Sequence, residues 1–260
     1  MPSWDSSQYL KFANERTQPA TDLAARIALE APARVIDLGC GPGNSTAVLA
    51  RRWPRARLAG LDNSPEMIAT ARQLNPQWTW WTGDITNWSK STIETFDVVF
   101  SSAALQWVPN HTQLLPALLA RVALGGAFAM QVPGNLEAPA HRIMSDLVFS
   151  PSWVSFFREP VREWWVEELP FYYDLLAPHA AQLELWTTDY LHVLPNAEAI
   201  VEWYKGTGLR PFIDKLSNPA DQARFLADYL HEIKRAYPAH ADGRVLFPFR
   251  RLFLIAYRQG

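Results

Sequence analysis

Three glycines within five residues, Gly39, Gly41 and Gly43, lie between a β-rich run and a helical one. Arg34 to Leu38 (RVIDL) reads as a strand and Asn44 to Arg52 as a helix, so the glycines occupy a strand-to-helix turn. Glycine there permits positive φ and close approach of a ligand to the backbone, and the following helix offers N–H groups with no intrahelical partner. In a doubly wound sheet this turn sits at the carboxyl end of the first strand, where ligands bind. The bland alternative is a tight turn that holds nothing. Three glycines would only weaken such a turn.

The rest of the first half repeats the alternation. Ala56 to Leu61 reads as a strand, Pro65 to Leu74 as a helix capped by Ser64, and Gln77 to Thr82 and Phe96 to Ser101 as strands. Thr112 to Val122 follows as a helix, and Ala127 to Val132 as a strand after the Gly125-Gly126 turn. Strand, helix, strand at this spacing predicts parallel βαβ units with right-handed crossovers. Two helical stretches precede the first strand, near Asp5 to Asn14 and Pro19 to Leu29. Between Leu136 and Pro178 the chain is aromatic and broken by prolines. Leu183 to Leu194 and Val245 to Tyr257 then read as late strands, separated by helices near Ala197 to Lys205 and Pro219 to Ala236. The expected fold is α/β: a Rossmann-like, doubly wound, mostly parallel sheet ending in an antiparallel hairpin, with helices on both faces and a small helical cap. The expected divisions are an N-terminal helical cover (1–30), a binding core (31–135), and the remainder of the sheet with its inserted cap (136–260). A chain of 260 residues can hold such a core.

Lys and Arg number 24 against 26 Asp and Glu, a net charge of −2, which argues against a general electrostatic grip on nucleic acid or anionic lipid. Any anionic ligand must be held locally. A lone cysteine, Cys40, excludes an internal disulfide and a Cys-built zinc site, and no metal is expected. No basic leader precedes an apolar run, and no stretch reaches the ~18 apolar residues a membrane span needs. These features predict a cytoplasmic protein with no membrane or nucleic-acid partner, and they leave the oligomeric state open. Twelve tryptophans are an excess. Trp88, Trp107, Trp164, Trp165, Trp186 and Trp203 neighbour polar residues and suit a cleft wall as well as a core.

The glycine pattern narrows the ligand. A dinucleotide fingerprint would carry a third small residue three positions past its second glycine, where this chain has Thr46 or Asn44. A P-loop needs a lysine, and none lies between Arg34 and Trp88. Asp62, closing the second strand, can accept hydrogen bonds from both hydroxyls of a ribose, or merely cap a turn. Asp84, after the third, could accept from an adenine amino group beside apolar Ile85; alone it reads more simply as a loop residue. Together with the glycine loop, the two acids point to an adenosyl group.

The runs D-L-G-C-G-P-G-N-S, L-D-N-S, G-D-I and F-D-V-V-F-S-S-A-A-L-Q-W resemble the class I S-adenosylmethionine-dependent methyltransferases over roughly residues 30–135. The resemblance implies S-adenosylmethionine as cofactor, with contacts from Asp37, Gly39, Gly41, Gly43, Asn44, Ser45, Asp62, Asn63, Asp84, Ile85 and Ser101. Asp37 would lie near its amino group. Met67 would cover the adenine or serve the core. S-adenosylmethionine has no phosphate, which suits a loop without a basic side chain.

The absence of an Asn- or Asp-Pro-Pro-Tyr run after the fourth strand disfavours exocyclic-nitrogen acceptors. W-D-S-S-Q-Y-L-K-F-A-N-E-R, A-L-Q-W-V-P-N-H, F-Y-Y-D-L-L, W-Y-K-G-T-G-L-R-P and R-L-F-L-I-A-Y-R are similar to the trans-aconitate methyltransferase family across nearly the whole chain. That resemblance implies methyl-ester formation on one carboxylate of a small tricarboxylate. Its carboxylates are ionised at neutral pH, so no general base is expected. Gln106 and Trp107 would position the methyl. The unreacting carboxylates need donors, for which the candidates are Tyr9, Arg16, Tyr172, Tyr173, Lys205, Arg210 and Arg251. Each arginine could equally be a surface ion pair, and His111 reads as a solvated loop residue. Another small or carrier-bound acid as acceptor, and cofactor binding without catalysis, remain as alternatives.

Overall fold

A computed structural model describes residues 13–159, 161 and 164–260 of the chain. Its strands are β1 (Arg34–Leu38), β2 (Arg57–Asp62), β3 (Thr79–Thr82), β4 (Phe96–Ser102), β5 (Val122–Pro133), β6 (Ala180–Leu194) and β7 (Val245–Arg258). The described helices are α1 (Ala13–Arg26), α2 (Asn44–Arg52), α3 (Pro65–Leu74), α4 (Ile85–Ser91), α5 (His111–Leu119), α6 (Pro139–Phe149), α7 (Leu169–Leu176), α8 (Ala197–Lys205), α9 (Arg210–Ile213) and α10 (Pro219–Ala236). One sheet runs β3-β2-β1-β4-β5-β7-β6. The first five strands pair in parallel, and β7 joins β5 antiparallel, from Ala127 opposite Tyr257 to Pro133 opposite Arg251. The strand order reverses between β1 and β4. Right-handed crossovers then open a crevice at their carboxyl ends, where the glycine loop lies. No described helix is long and apolar enough to cross a membrane.

The chain divides into two compact units. Among described residues, the first comprises 13–133, 164–188 and 251–260; the second comprises those of 134–163 together with 189–250. Residues 164–188 and 251–260 thus return to the unit that holds the glycine loop.

Central β1 is buried save at its first residue, as a strand covered on both faces must be, and it is apolar there except for Asp37. Around it Ile36, Val99, Leu115, Leu118, Phe128 and Leu254 form one continuous core. In the second unit Trp203, Tyr204, Tyr229 and Phe247 are buried among one another, and Tyr229 and Tyr237 bracket Ala140, one donating to its carbonyl at 2.9 Å and the other accepting its N–H at 3.1 Å. Trp203 is therefore core, not cleft wall.

Three expectations about elements fail for physical reasons. The helix before β1 runs through Pro19 rather than starting there. It forgoes one backbone hydrogen bond while burying Ala20, Leu23 and Ala24 along one face. The Gly125-Gly126 pair does not begin β5 but bends it, Gly125 taking φ +74° where the register with β4 shifts. Pro139 and Pro170, taken as breaks, open α6 and α7, because proline suits a first helical turn whose N–H groups have no partner.

Candidate active site

The glycine loop is built in the first unit by three left-handed residues, with φ of +74°, +53° and +97° at Gly39, Gly41 and Gly43. Gly39 admits no side chain, since a Cβ there would stand 2.1 Å from that of Ala104. Gly43 and Gly60 are pressed by Trp80, whose indole N–H donates to the Asn75 carbonyl at 2.9 Å. A Cβ on Gly41 would meet nothing within 4 Å, so the loop's middle faces open space.

Two carboxylates hold this cradle in shape. Asp37 is fully buried and accepts on Oδ2 from Ser45 (2.6 Å) and Thr46 (2.7 Å), tying β1 to the first turn of α2. Its Oδ1 is buried with no hydrogen-bond partner, and burial pushes its pKa up to about 6 against the two hydroxyls that pull it down. Asp62 accepts from the Gly41 N–H on Oδ2 and the Ser64 N–H on Oδ1, both at 2.9 Å. Burial raises its pKa too, and these backbone bonds oppose the rise. A carboxylate has about four acceptor positions, so Asp62 keeps capacity for further donors. Asp84 caps α4 by accepting the Asn87 N–H at 2.9 Å and is otherwise exposed, with Ile85 buried below the loop near Gly39. Asn44 and Ser45 are half-buried beside the loop, and Asn63 is exposed.

Some candidates hold the frame of the site. Ser101 is buried and its hydroxyl donates to the Leu38 carbonyl at 2.8 Å, joining β4 to the end of β1. Met67 is buried in α3. Tyr172, expected to meet substrate, is buried with its hydroxyl between two protein partners, so its ring belongs to the core. His111 is a correction of the opposite kind: it is buried at the start of α5 rather than solvated, because its ring bonds Leu105 and Tyr172.

After β4 the chain turns sharply through Ala103 (φ +55°) into a 3-10 turn, Leu105–Trp107. Gln106 is buried and folds back, Nε2 donating to the Ala103 carbonyl at 2.8 Å, while Oε1 has no partner. Trp107 is half-buried, edge-on to Trp164 at 6.0 Å. Arg251 opens the part of β7 paired with β5 and is 5% exposed. Its Nη1 donates to Gln131 Oε1 at 3.4 Å, and Gln131 Nε2 donates to Ser102 Oγ at 2.8 Å. A buried guanidinium thus stands at the carboxyl edge of the parallel strands. Arg16 is buried on α1, and Tyr173 is exposed. Tyr9 lies outside the described residues.

In the second unit, Lys205 pairs with Glu202 at 2.5 Å, and Arg210 Nε lies 3.7 Å from Asp214. Arg250, the neighbour of Arg251, is an exposed bidentate partner of Asp189 at 2.7 and 2.9 Å. The sequence reading missed Thr46, Gln131 and Ser102. Thr46 is nine residues past Asp37, one turn into a helix that starts beside it. Gln131 stands out only as a polar residue in an apolar strand.

A family model described as a methyltransferase domain matches residues 35–126. The chain is 48% identical to the trans-aconitate 2-methyltransferase of Azoarcus sp. (strain BH72), over 99% of this chain and 100% of that one. It is 47% identical to the protein of the same name from Rhodopseudomonas palustris (strain BisB18), with 99% and 100% covered. Among solved structures, the YcgJ protein from Bacillus subtilis superposes with a TM-score of 0.59 at 14% identity, covering 94% of this chain and 99% of that one, a likeness of fold. Identity near one half, sustained from end to end, means that this chain belongs to the trans-aconitate 2-methyltransferase family.

Proposed function

We propose that the protein transfers a methyl group from S-adenosylmethionine to a carboxylate of trans-aconitate, forming a monomethyl ester and S-adenosylhomocysteine. The observation that carries the cofactor is the cradle itself: a loop open above Gly41, a carboxylate at its side with unused acceptor positions, and a buried carboxylate beneath it with one oxygen unpaired. Two acids beside an uncharged loop suit a ligand with hydroxyls and positive charge and repel a polyphosphate. The acceptor comes from the relatives' name and from the chemistry of Arg251.

Asp62 would accept from the ribose hydroxyls while still holding Gly41, and Asp84 from the adenine amino group, with Ile85 against the ring. The charge of Asp37 favours an ammonium nearby over any neutral group. S-adenosylmethionine, when bound, supplies a methyl on a sulfonium, and its loss to a carboxylate oxygen makes one C–O bond, breaks one S–C bond and leaves a neutral thioether. No residue needs to take a proton, because the acceptor oxygen is already ionised at neutral pH. Arg251 holds a carboxylate by charge-assisted hydrogen bonds, its guanidinium steadied by Gln131. Gln106 and Trp107 border the reacting atoms and exclude water, which favours a transition state in which opposite charges are neutralised. Assignments for Tyr9, Arg16, Tyr173, Lys205 and Arg210 rest on the family resemblance.

Incubation of the purified protein with methyl-labelled S-adenosylmethionine and trans-aconitate is expected to yield labelled methyl ester and one equivalent of S-adenosylhomocysteine. Turnover with a different acid and none with trans-aconitate would overturn the reading.

A further inference from the structure

Four groups in the first unit form a directional hydrogen-bond chain that ends on the turn beside the glycine loop. His111 Nε2 lies 3.0 Å from the Leu105 carbonyl, which can only accept, so the ring proton is on Nε2. His111 Nδ1 must then accept, and the Tyr172 hydroxyl donates to it at 3.1 Å. The Tyr172 oxygen in turn accepts the Glu167 N–H at 3.0 Å. Every bond points the same way, and both side chains are buried, so each bond strengthens the next.

The far end of this chain is a strained place. Leu105 follows Ala103, an alanine in the left-handed region, and Ala104, whose Cβ occupies the space denied to Gly39. Leu105 opens the turn that carries Gln106 and Trp107, and the same turn is tied by the Trp165 N–H to the Gln106 carbonyl at 2.8 Å. We propose that His111 and Tyr172 are a positioning pair that holds the Gln106–Trp107 turn in register with the glycine loop, and that the pair works only while His111 is neutral with its proton on Nε2. This rests on the methyl-transfer reading above.

A proton on Nδ1 would face the Tyr172 hydroxyl, whose oxygen already accepts from Glu167, and would leave the phenol proton without an acceptor. Burial lowers the pKa of His111, against the Leu105 and Val108 backbone bonds and the Glu167 charge, which raise it. Burial pushes the Tyr172 phenol up to about 12, with the charges of Glu167 and Glu168 adding to the rise, so it stays protonated. The pair is therefore intact at neutral pH and opens on acidification.

Tyr172→Phe should lower kcat by about 10- to 100-fold, the scale of a misplaced reacting group, while KM for trans-aconitate and affinity for S-adenosylhomocysteine move less than about threefold. His111→Gln, whose amide can accept from Tyr172 at one end and donate to Leu105 at the other, should recover most of kcat. Measured at saturating cofactor, to remove the titration of Asp37, it should also lack the wild type's decline as the pH falls below the ordinary histidine range. Nitrogen NMR of the histidine ring in the full chain gives a readout apart from activity: His111 should be neutral and Nε2-protonated at pH about 7. Wild-type kcat in Tyr172→Phe, the same acid decline in His111→Gln, or an Nδ1-protonated ring would each overturn the proposal. A wild type that does not methylate trans-aconitate but shows the expected ring signal would overturn the functional reading instead.

Discussion

Asp37 carries a charge where water does not reach it, and Ser45 and Thr46 offset only part of that cost. A ligand ammonium nearby favours its ionised form, whereas protonation near pH 6 removes the attraction. Affinity for S-adenosylhomocysteine should therefore fall as the pH drops through about 6, by at most about 1.4 kcal/mol per unit, and Asp37→Asn should bind weakly with no such slope. Calorimetry on either side of that value checks both. Arg251 is the corresponding residue for the acceptor. Arg251→Ala should raise KM for trans-aconitate by about 10- to 100-fold, the scale of a hydrogen bond to a charged group, with cofactor affinity nearly intact. Equal loss of both would mean that Arg251 holds up the β5–β7 edge instead. Asp37 and Arg251 were both legible in the sequence as candidates. Their partners were not, because Thr46 and Gln131 acquire meaning only when α2 folds back on β1 and β7 is laid beside β5.

At the scale of elements, the glycine loop separates two effects that a sequence pattern merges. Gly39→Ala would drive a Cβ to 2.1 Å from Ala104 at a φ of +74°, so the turn after β4 must shift. Loss of folding stability of at least about 1–3 kcal/mol is expected, on the scale of local backbone strain. Gly41→Ala meets no protein atom. It should cost only about 1–2 kcal/mol in stability, for the left-handed backbone, yet weaken the cofactor more, because its Cβ enters the space over the loop. Thermal melts set beside titrations with S-adenosylhomocysteine distinguish the two. The strands of the βαβ half and three of its helices were readable from their period, and α3 from its cap as well: Ser64 accepts from the Met67 N–H, as a helix start should. The short α4 was not, because its cap, Asp84, reads alone as a loop residue. Prolines misled where position decided their effect, since Pro139 and Pro170 begin helices while Pro19 lies inside one.

Across the whole molecule, buried ionisable groups pull the pH dependence of stability in opposite directions. His141 has its pKa lowered from 6.5 to about 4 by burial, and His111 is lowered too. The unfolded chain then binds more protons than the folded one in that range, so stability falls as the pH drops from 6.5. Asp37, raised from 3.8 to about 6, acts oppositely and relieves a cost on acidification. Asp62, raised by burial as well, acts in the same direction as Asp37, so two histidines oppose two aspartates, and removing one histidine isolates its share. His141 contributes on the order of 2 kcal/mol between about pH 6.5 and about pH 4. Urea denaturation at a series of pH values measures this, and between about pH 6.5 and about pH 4 His141→Leu should lose less stability on acidification than the wild type. A profile unchanged by that substitution would show that His141 is not the group responsible. What the sequence alone determined was the doubly wound sheet, its glycine loop and the acids that close β2 and follow β3, because periodicity and turn chemistry are local and survive without the fold. Only the tertiary structure decided that Tyr172 and His111 face each other in the core, that Arg251 is buried against Gln131 while Arg250 is not, and that 164–188 belong with the sheet. Those outcomes depend on which distant surfaces meet, and burial and hydrogen-bond partnership have no counterpart in a one-dimensional pattern.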